Sequence, residues 1–96
     1  MTKGKHYEPG AAGWVIRSEA VVDNGKKHVS WWYGPDHGWG TTWGGLDYSV
    51  RVWRLRRQAL DAFRSGYGGV FVRGRFRAQK VEDAEHEQAQ RKAAAA

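Results

Sequence analysis

Three arginines alternate with other residues late in this chain: Arg73, Arg75 and Arg77. On an extended strand that spacing sets all three guanidiniums on one face, about 6.6–7 Å apart. Each planar fork can hold two oxygens of a phosphate or carboxylate at once. Phe71 shares the face, so the row has the parts of a platform where unpaired bases stack while arginines hold the backbone. A second set, Arg54, Arg56, Arg57 and Arg64, falls at helical spacing, with Arg57 and Arg64 on one face and Arg54 three before Arg57. Asp61 can pair with Arg57 or Arg64 and is the one acid among them. A face held by its own ion pairs would carry more acids, so the deficit points to an external anion. The other reading of both sets is a solvated basic face that blunts a sheet edge and aids solubility.

The charge is local. Between Arg51 and Lys80 stand eight arginines and one lysine against Asp61 alone, a net of +8. Residues 1–50 balance five bases with five acids, and residues 81–96 come to −2. A block of this kind is the electrostatic footprint of a polyanion-binding or acidic-protein-binding surface.

A third constellation is the loop Gly34 to Gly45, with sequence GPDHGWGTTWGG. Its glycines let backbone N–H groups approach a ligand, and Trp39 and Trp43 could stack a base or a sugar ring, or else fold back over the core. Catalysis is not expected. Asp36 and His37 are sequence neighbours, which rarely aim at one substrate, and neither a nucleophile elbow nor a phosphate loop is present. The four histidines lack metal-ligand spacing and there is no cysteine, so neither metal, cofactor nor disulfide is expected.

These groups need a scaffold. Trp14, Ile16, Ala20 and Val22 alternate with Val15, Arg17, Glu19 and Val21, which predicts a strand over Gly13–Val22. Asn24-Gly25 then signals a two-residue hairpin turn of type I′ into a second strand, Lys27–Tyr33. That turn pairs Ser18 with Trp31 and Ile16 with Tyr33. It turns Trp31 to a single core face and leaves Trp32 on the reverse, where Arg17 can stack on its indole and Trp32 can meet a partner. Leu46–Trp53 is read as a third strand. Leu55, Ala59, Ala62 and Phe63 give an amphipathic helix ending at Ser65-Gly66. A last strand follows from Val70 to about Ala78, with Val70, Val72, Phe76 and Ala78 facing the core.

The expected fold is α+β, a small antiparallel sheet in β-β-β-α-β order packed on one helix. Residues 1–12 read as a loose arm, 13–80 as one domain, and 81–96 as a frayed helical or disordered polar tail. No apolar run reaches the roughly 20 residues that span a bilayer, and the polar start lacks a signal-peptide core, so the chain is expected to be soluble and cytoplasmic.

Several of these features together resemble a loose class of short phage-encoded accessory proteins. They are the strand Trp14-Val15-Ile16-Arg17, the segment Ser30-Trp31-Trp32-Tyr33, the Gly38-Trp39-Gly40 loop, and Trp53 ahead of the alanine-bearing Gln58-Ala59-Leu60-Asp61-Ala62. The likeness covers about residues 13–65. It implies a host-takeover role in the host cytoplasm, in a group that includes non-enzymatic anti-CRISPR inhibitors, and it transfers no catalytic residue. The residues themselves lead to a basic, non-enzymatic binding module for nucleic acid or the nucleic-acid path of a nucleoprotein machine. An inhibitor gripping an acidic protein face through arginine and tryptophan is the second reading. Carbohydrate binding by the tryptophan loop is the third.

Overall fold

Trp14, Val15 and Ile16 are apolar at consecutive positions, which a strand satisfies only when both of its faces are covered. The computed structural model describes residues 4–21, 24–37, 40–42, 44–66 and 76–95, and it covers both. The chain runs β1 (Lys5–His6), β2 (Trp14–Val21), β3 (Lys27–Trp31), a 3-10 turn at Pro35–His37, β4 (Arg51–Val52), α1 (Arg56–Gly66), β5 (Phe76–Lys80) and α2 (Val81–Ala95). β2 is the centre of an antiparallel sheet ordered β3-β2-β5, while β1 and β4 form a second pair. Reciprocal backbone hydrogen bonds between Trp14 and Trp53, at 2.7 and 2.8 Å, join the two. The class is α+β, as expected.

Two cores result. On one face of β2, Ile16 meets Trp32, Trp53, Phe76 and the α1 residues Ala59, Ala62 and Phe63. Trp32 stacks on Trp53 at 5.8 Å between centroids and takes the edge of Phe63 at 5.1 Å. On the other face, Val15 meets Val29, Trp31, Val50, Val52, Tyr7 and the α2 residues Val81 and Ala84.

The hairpin differs from expectation by one residue. Arg17 faces Trp31 and Glu19 faces Val29, and pairing ends at Val21 with Lys27. Five residues therefore separate the paired ends, where a two-residue turn was expected. Asn24 accepts from the Lys26 N–H at 3.1 Å, an Asx turn, and Gly25 takes the positive φ of 78°. Asn24 does not, so the turn is not type I′, which needs positive φ at both central positions. A one-residue shift exchanges the two faces of a strand. Trp32 is consequently not a surface residue stacked on Arg17 but a fully buried one on the α1 side, 0 % exposed, while Trp31 packs on the α2 side.

The third strand is shorter than expected. Asp47 accepts the Ser49 N–H at 2.8 Å and its carbonyl accepts the Val50 N–H at 3.0 Å. That turn delays pairing until Arg51 and leaves Tyr48 exposed. The helix buries Ala59, Ala62 and Phe63 as its pattern predicts, but Leu55, read as the first inward position, precedes the helix and is 38 % exposed. At its start the Leu55 N–H donates to Gln58 Oε1 at 3.2 Å, which is the return half of a capping box. In β5, Phe76 is buried and Ala78 packs against the same core, as the alternation predicts.

Neither terminal segment is loose over its described residues, 4–12 and 81–95. In the N-terminal arm, β1 pairs with β4, and the buried Tyr7 donates its N–H to the Val50 carbonyl at 2.8 Å. The C-terminal segment is neither frayed nor disordered over Val81–Ala95: it is α2, seated on the sheet. It shows no apolar stripe because polar groups do most of the docking. Glu85 accepts from the Tyr7 hydroxyl at 2.7 Å and the Gly10 N–H at 2.9 Å. Gln88 accepts the Leu46 N–H, and Arg91 donates to the Lys27 carbonyl at 3.0 Å.

Two stability measurements check this arrangement. Trp32→Ala is expected to cost about 3–5 kcal/mol in denaturant unfolding, no less than Trp31→Ala, because both empty a core. Truncation after Lys80 uncovers Val15 and Trp31, so it is expected to abolish the cooperative thermal transition; a melt within a few degrees of the full chain would show that α2 is not needed as a cover.

Candidate polyanion-binding surface

Helix α1 buries a stripe of alanine and phenylalanine and turns its other side outward, which fixes where its arginines go. Arg54, just before the helix, and Arg56, Arg57 and Arg64 within it are all exposed. None of them is within ion-pair distance of an acid among the described residues, Asp61 included. Arg57 and Arg64 stand two turns apart, about 10.5 Å along the axis. The first turn holds two arginines and no acid. The positive end of the helix dipole disfavours cations there, typically by about 0.3–1 kcal/mol each, so this placement works against the helix.

The remaining bases and acids are disposed differently. Arg17 is 6 % exposed and donates through Nε and Nη2 to Glu87 at 2.8 and 2.6 Å, while Nη1 reaches Glu19 at 2.8 Å. Gln79 bridges this cluster, receiving the Trp31 indole N–H at 2.9 Å and donating to Glu87 at 2.9 Å. Arg51 is half-buried and lies 3.7 Å from Asp36. Asp47 accepts from the Tyr33 hydroxyl at 3.2 Å. Glu19, Asp36, Asp47 and Glu87 are thus drawn to internal partners while α1 keeps its arginines free.

The structure divides the residues that the sequence grouped. Arg77 is exposed, but it pairs across from Arg17 and so belongs to the α2 face of the sheet, away from α1. Phe71, Arg73, Arg75 and Trp39 lie outside the described residues, as does Trp43. Trp32 is withdrawn from the site because it is core. Sequence reasoning passed over Lys80, which sits on the α1 face with its ammonium 5.8 Å from the Trp14 ring centre. Lys80 and Arg54 line one hollow with Trp14. The signal for it was present in the alternation of β5, which sets Lys80 in phase with Phe76 and Ala78.

Among the described residues no three His, Asp or Glu side chains gather as a metal site, and no helix is long and apolar enough to cross a membrane. Comparison with known proteins returns no matching family model, curated protein or solved structure.

The ion pairs behind α2 make stability depend on pH. Hydrogen bonding from Arg17 first, opposed by burial, holds the Glu87 carboxyl at about 2 against an ordinary 4.5. Glu85 is lowered by the Gly10 N–H and then by Tyr7. Burial, then Glu85, pushes the Tyr7 hydroxyl up to about 12 from 10.0. A depressed carboxyl adds stability above its unfolded value and surrenders it as pH falls through the folded one. A raised phenol adds stability below its unfolded value and surrenders it as pH rises. The melting temperature is therefore expected to fall from about pH 4.5 toward 2 and again from about 10 toward 12. Glu87→Gln should lose about 1–3 kcal/mol at neutral pH, the range for weakening a hydrogen bond to a charged group at a part-buried site. Its acid limb should be shallower than that of the wild type; an identical limb would exclude Glu87 as the titrating group.

Proposed function

We propose that this protein is a non-enzymatic binding module whose basic face, built on α1, engages nucleic acid or the nucleic-acid path of a nucleoprotein machine. The observation that carries this reading is the set Arg54, Arg56, Arg57 and Arg64. All four are exposed and none is within ion-pair distance of an acid among the described residues, whereas Glu19, Asp36 and Glu87 are held in internal pairs. Arg56 and Arg57, in the first turn, stand against the helix dipole and weaken the helix unless an anion meets them, and a phosphate backbone supplies anions at regular spacing. A module of this kind acts by occupancy, which fits the inhibitory role implied by the resemblance to phage accessory proteins.

The rival reading, an inhibitor of an acidic protein face, wants aromatic anchors at its centre. Trp31, Trp32 and Trp53 are buried, and the large exposed apolar side chains among the described residues are Val21, Tyr48 and Leu55. Among the described residues that composition favours the electrostatic reading; Trp39 and Trp43 lie outside them.

Fluorescence anisotropy with labelled oligonucleotides across a salt series tests it. Wild-type affinity is expected to fall linearly on a log–log plot, with a slope of about −0.7 per neutralised phosphate on single strands. Replacing all four arginines by alanine should remove most of the binding and flatten the slope. The melting temperature should stay within a few degrees, since exposed positions usually change stability by about 0.5 kcal/mol or less. A wild-type chain that binds no oligonucleotide, or a variant with unchanged affinity, would overturn the reading.

A further inference from the structure

The N-terminal arm lies beside the start of α1 and leaves a cleft of about 930 Å³ between them, floored by Val52 and Trp53. Lys5, His6 and Arg54 stand on its rim. A second hollow of about 460 Å³ shares Ala11, Ala12 and Arg54 with the first, so the two form one track. At its far end Lys80 is held over the Trp14 ring. Near the other end Tyr48, 76 % exposed, lies 6.4 Å from the His6 ring at a 52° tilt. Tyr48 and His6 thus stand near one end, Lys5 and Arg54 along the track, and Lys80 over Trp14 at the other end.

We propose that this track is the path of a single strand of nucleic acid, with a base on Tyr48 and the backbone along Lys5, Arg54 and Lys80. This rests on the nucleic-acid reading above and specifies where on the surface the strand runs. An exposed ring beside a concave track that carries Lys5, Arg54 and Lys80 serves unpaired bases, whose faces are open; in a duplex those faces are stacked. Three acids also line the track: Glu8 by the larger hollow, Glu82 and Glu85 by the smaller. Glu85 is engaged by Tyr7 and Gly10. Glu8 and Glu82 are exposed and repel phosphate, but a carboxylate accepts from the exocyclic amino group of a base, as glutamate does from cytosine N4. The backbone therefore keeps to the lysine and arginine side and amino-bearing base edges to the other.

The test measures binding of labelled oligo-dC and oligo-dT single strands and a duplex of equal length to the full chain. Tyr48→Ala is expected to weaken single-strand binding about tenfold, the loss of one stacked base, and to leave duplex binding unchanged. Lys5→Ala with Lys80→Ala should reduce the salt slope, and Glu8→Ala should narrow a preference for oligo-dC over oligo-dT. Should the lysine pair lower the melting temperature, Tyr48→Ala, at an exposed turn, still decides. If Arg57→Ala with Arg64→Ala abolishes binding while Tyr48→Ala and the lysine pair change nothing, the strand runs over α1 and the track is wrong, with the nucleic-acid reading intact. Duplex bound as tightly as single strands also overturns the track. Absence of binding to every oligonucleotide removes both.

Discussion

The central strand is buried on both of its faces, and the rest of the architecture answers to that. Val15, Ile16 and Trp32 are completely shielded from solvent in a chain of 96 residues. A protein this small has little surface to hide and cannot leave one side of its sheet wet without losing much of its core. α1 covers one side with two alanines and a phenylalanine, and the three clustered rings of Trp32, Trp53 and Phe63 supply most of the apolar area there. α2 covers the other with only Val81 and Ala84 from its own sequence. The deficit is met by polar attachment, above all the paired hydrogen bonds between Arg17 and Glu87.

That attachment sets the charge pattern of the surface. Burying a guanidinium costs several kcal/mol unless carboxylates meet it with good geometry, so Arg17 commits both Glu87 and Glu19. Glu85 is committed to the arm in the same way. With these acids drawn to the α2 side, Asp61 is the one acid on α1 itself. The basic face is thus partly a consequence of how the opposite helix is held. Fold and electrostatics share one cause.

Much of this was legible in the residues. The amphipathic period of α1 placed Ala59, Ala62 and Phe63 inward, and with them the arginines outward, because helix geometry fixes both faces together. The α+β class followed from strand alternation giving way to that period. The apolar doublets Val15-Ile16 and Trp31-Trp32 carried the mark of a sheet covered on two sides. A one-sided sheet reads the same doublets as one residue in and one out, and that assumption sent Trp32 to the surface.

The sequence by itself determined the local periodicities, the glycine that takes the turn beyond β2, and the block of positive charge between Arg51 and Lys80. These depend on residues near one another in the chain, so spacing suffices to read them. Only the tertiary structure decided the register of the hairpin, the docking of α2 and the company each charge keeps. A two-residue turn and a longer Asx-stabilised loop differ little in local energy; what selects between them is the face each ring meets, Trp32 beside Ile16 and α1, Trp31 on the α2 side. Helix α2 has no stripe to announce it, because Glu85, Glu87 and Gln88 find partners at Tyr7, Arg17 and Leu46, 78, 70 and 42 residues away. Polar contacts across such separations exist only once the chain has folded, since a carboxylate shows no preference for a distant arginine until packing brings the two together and removes the water between them.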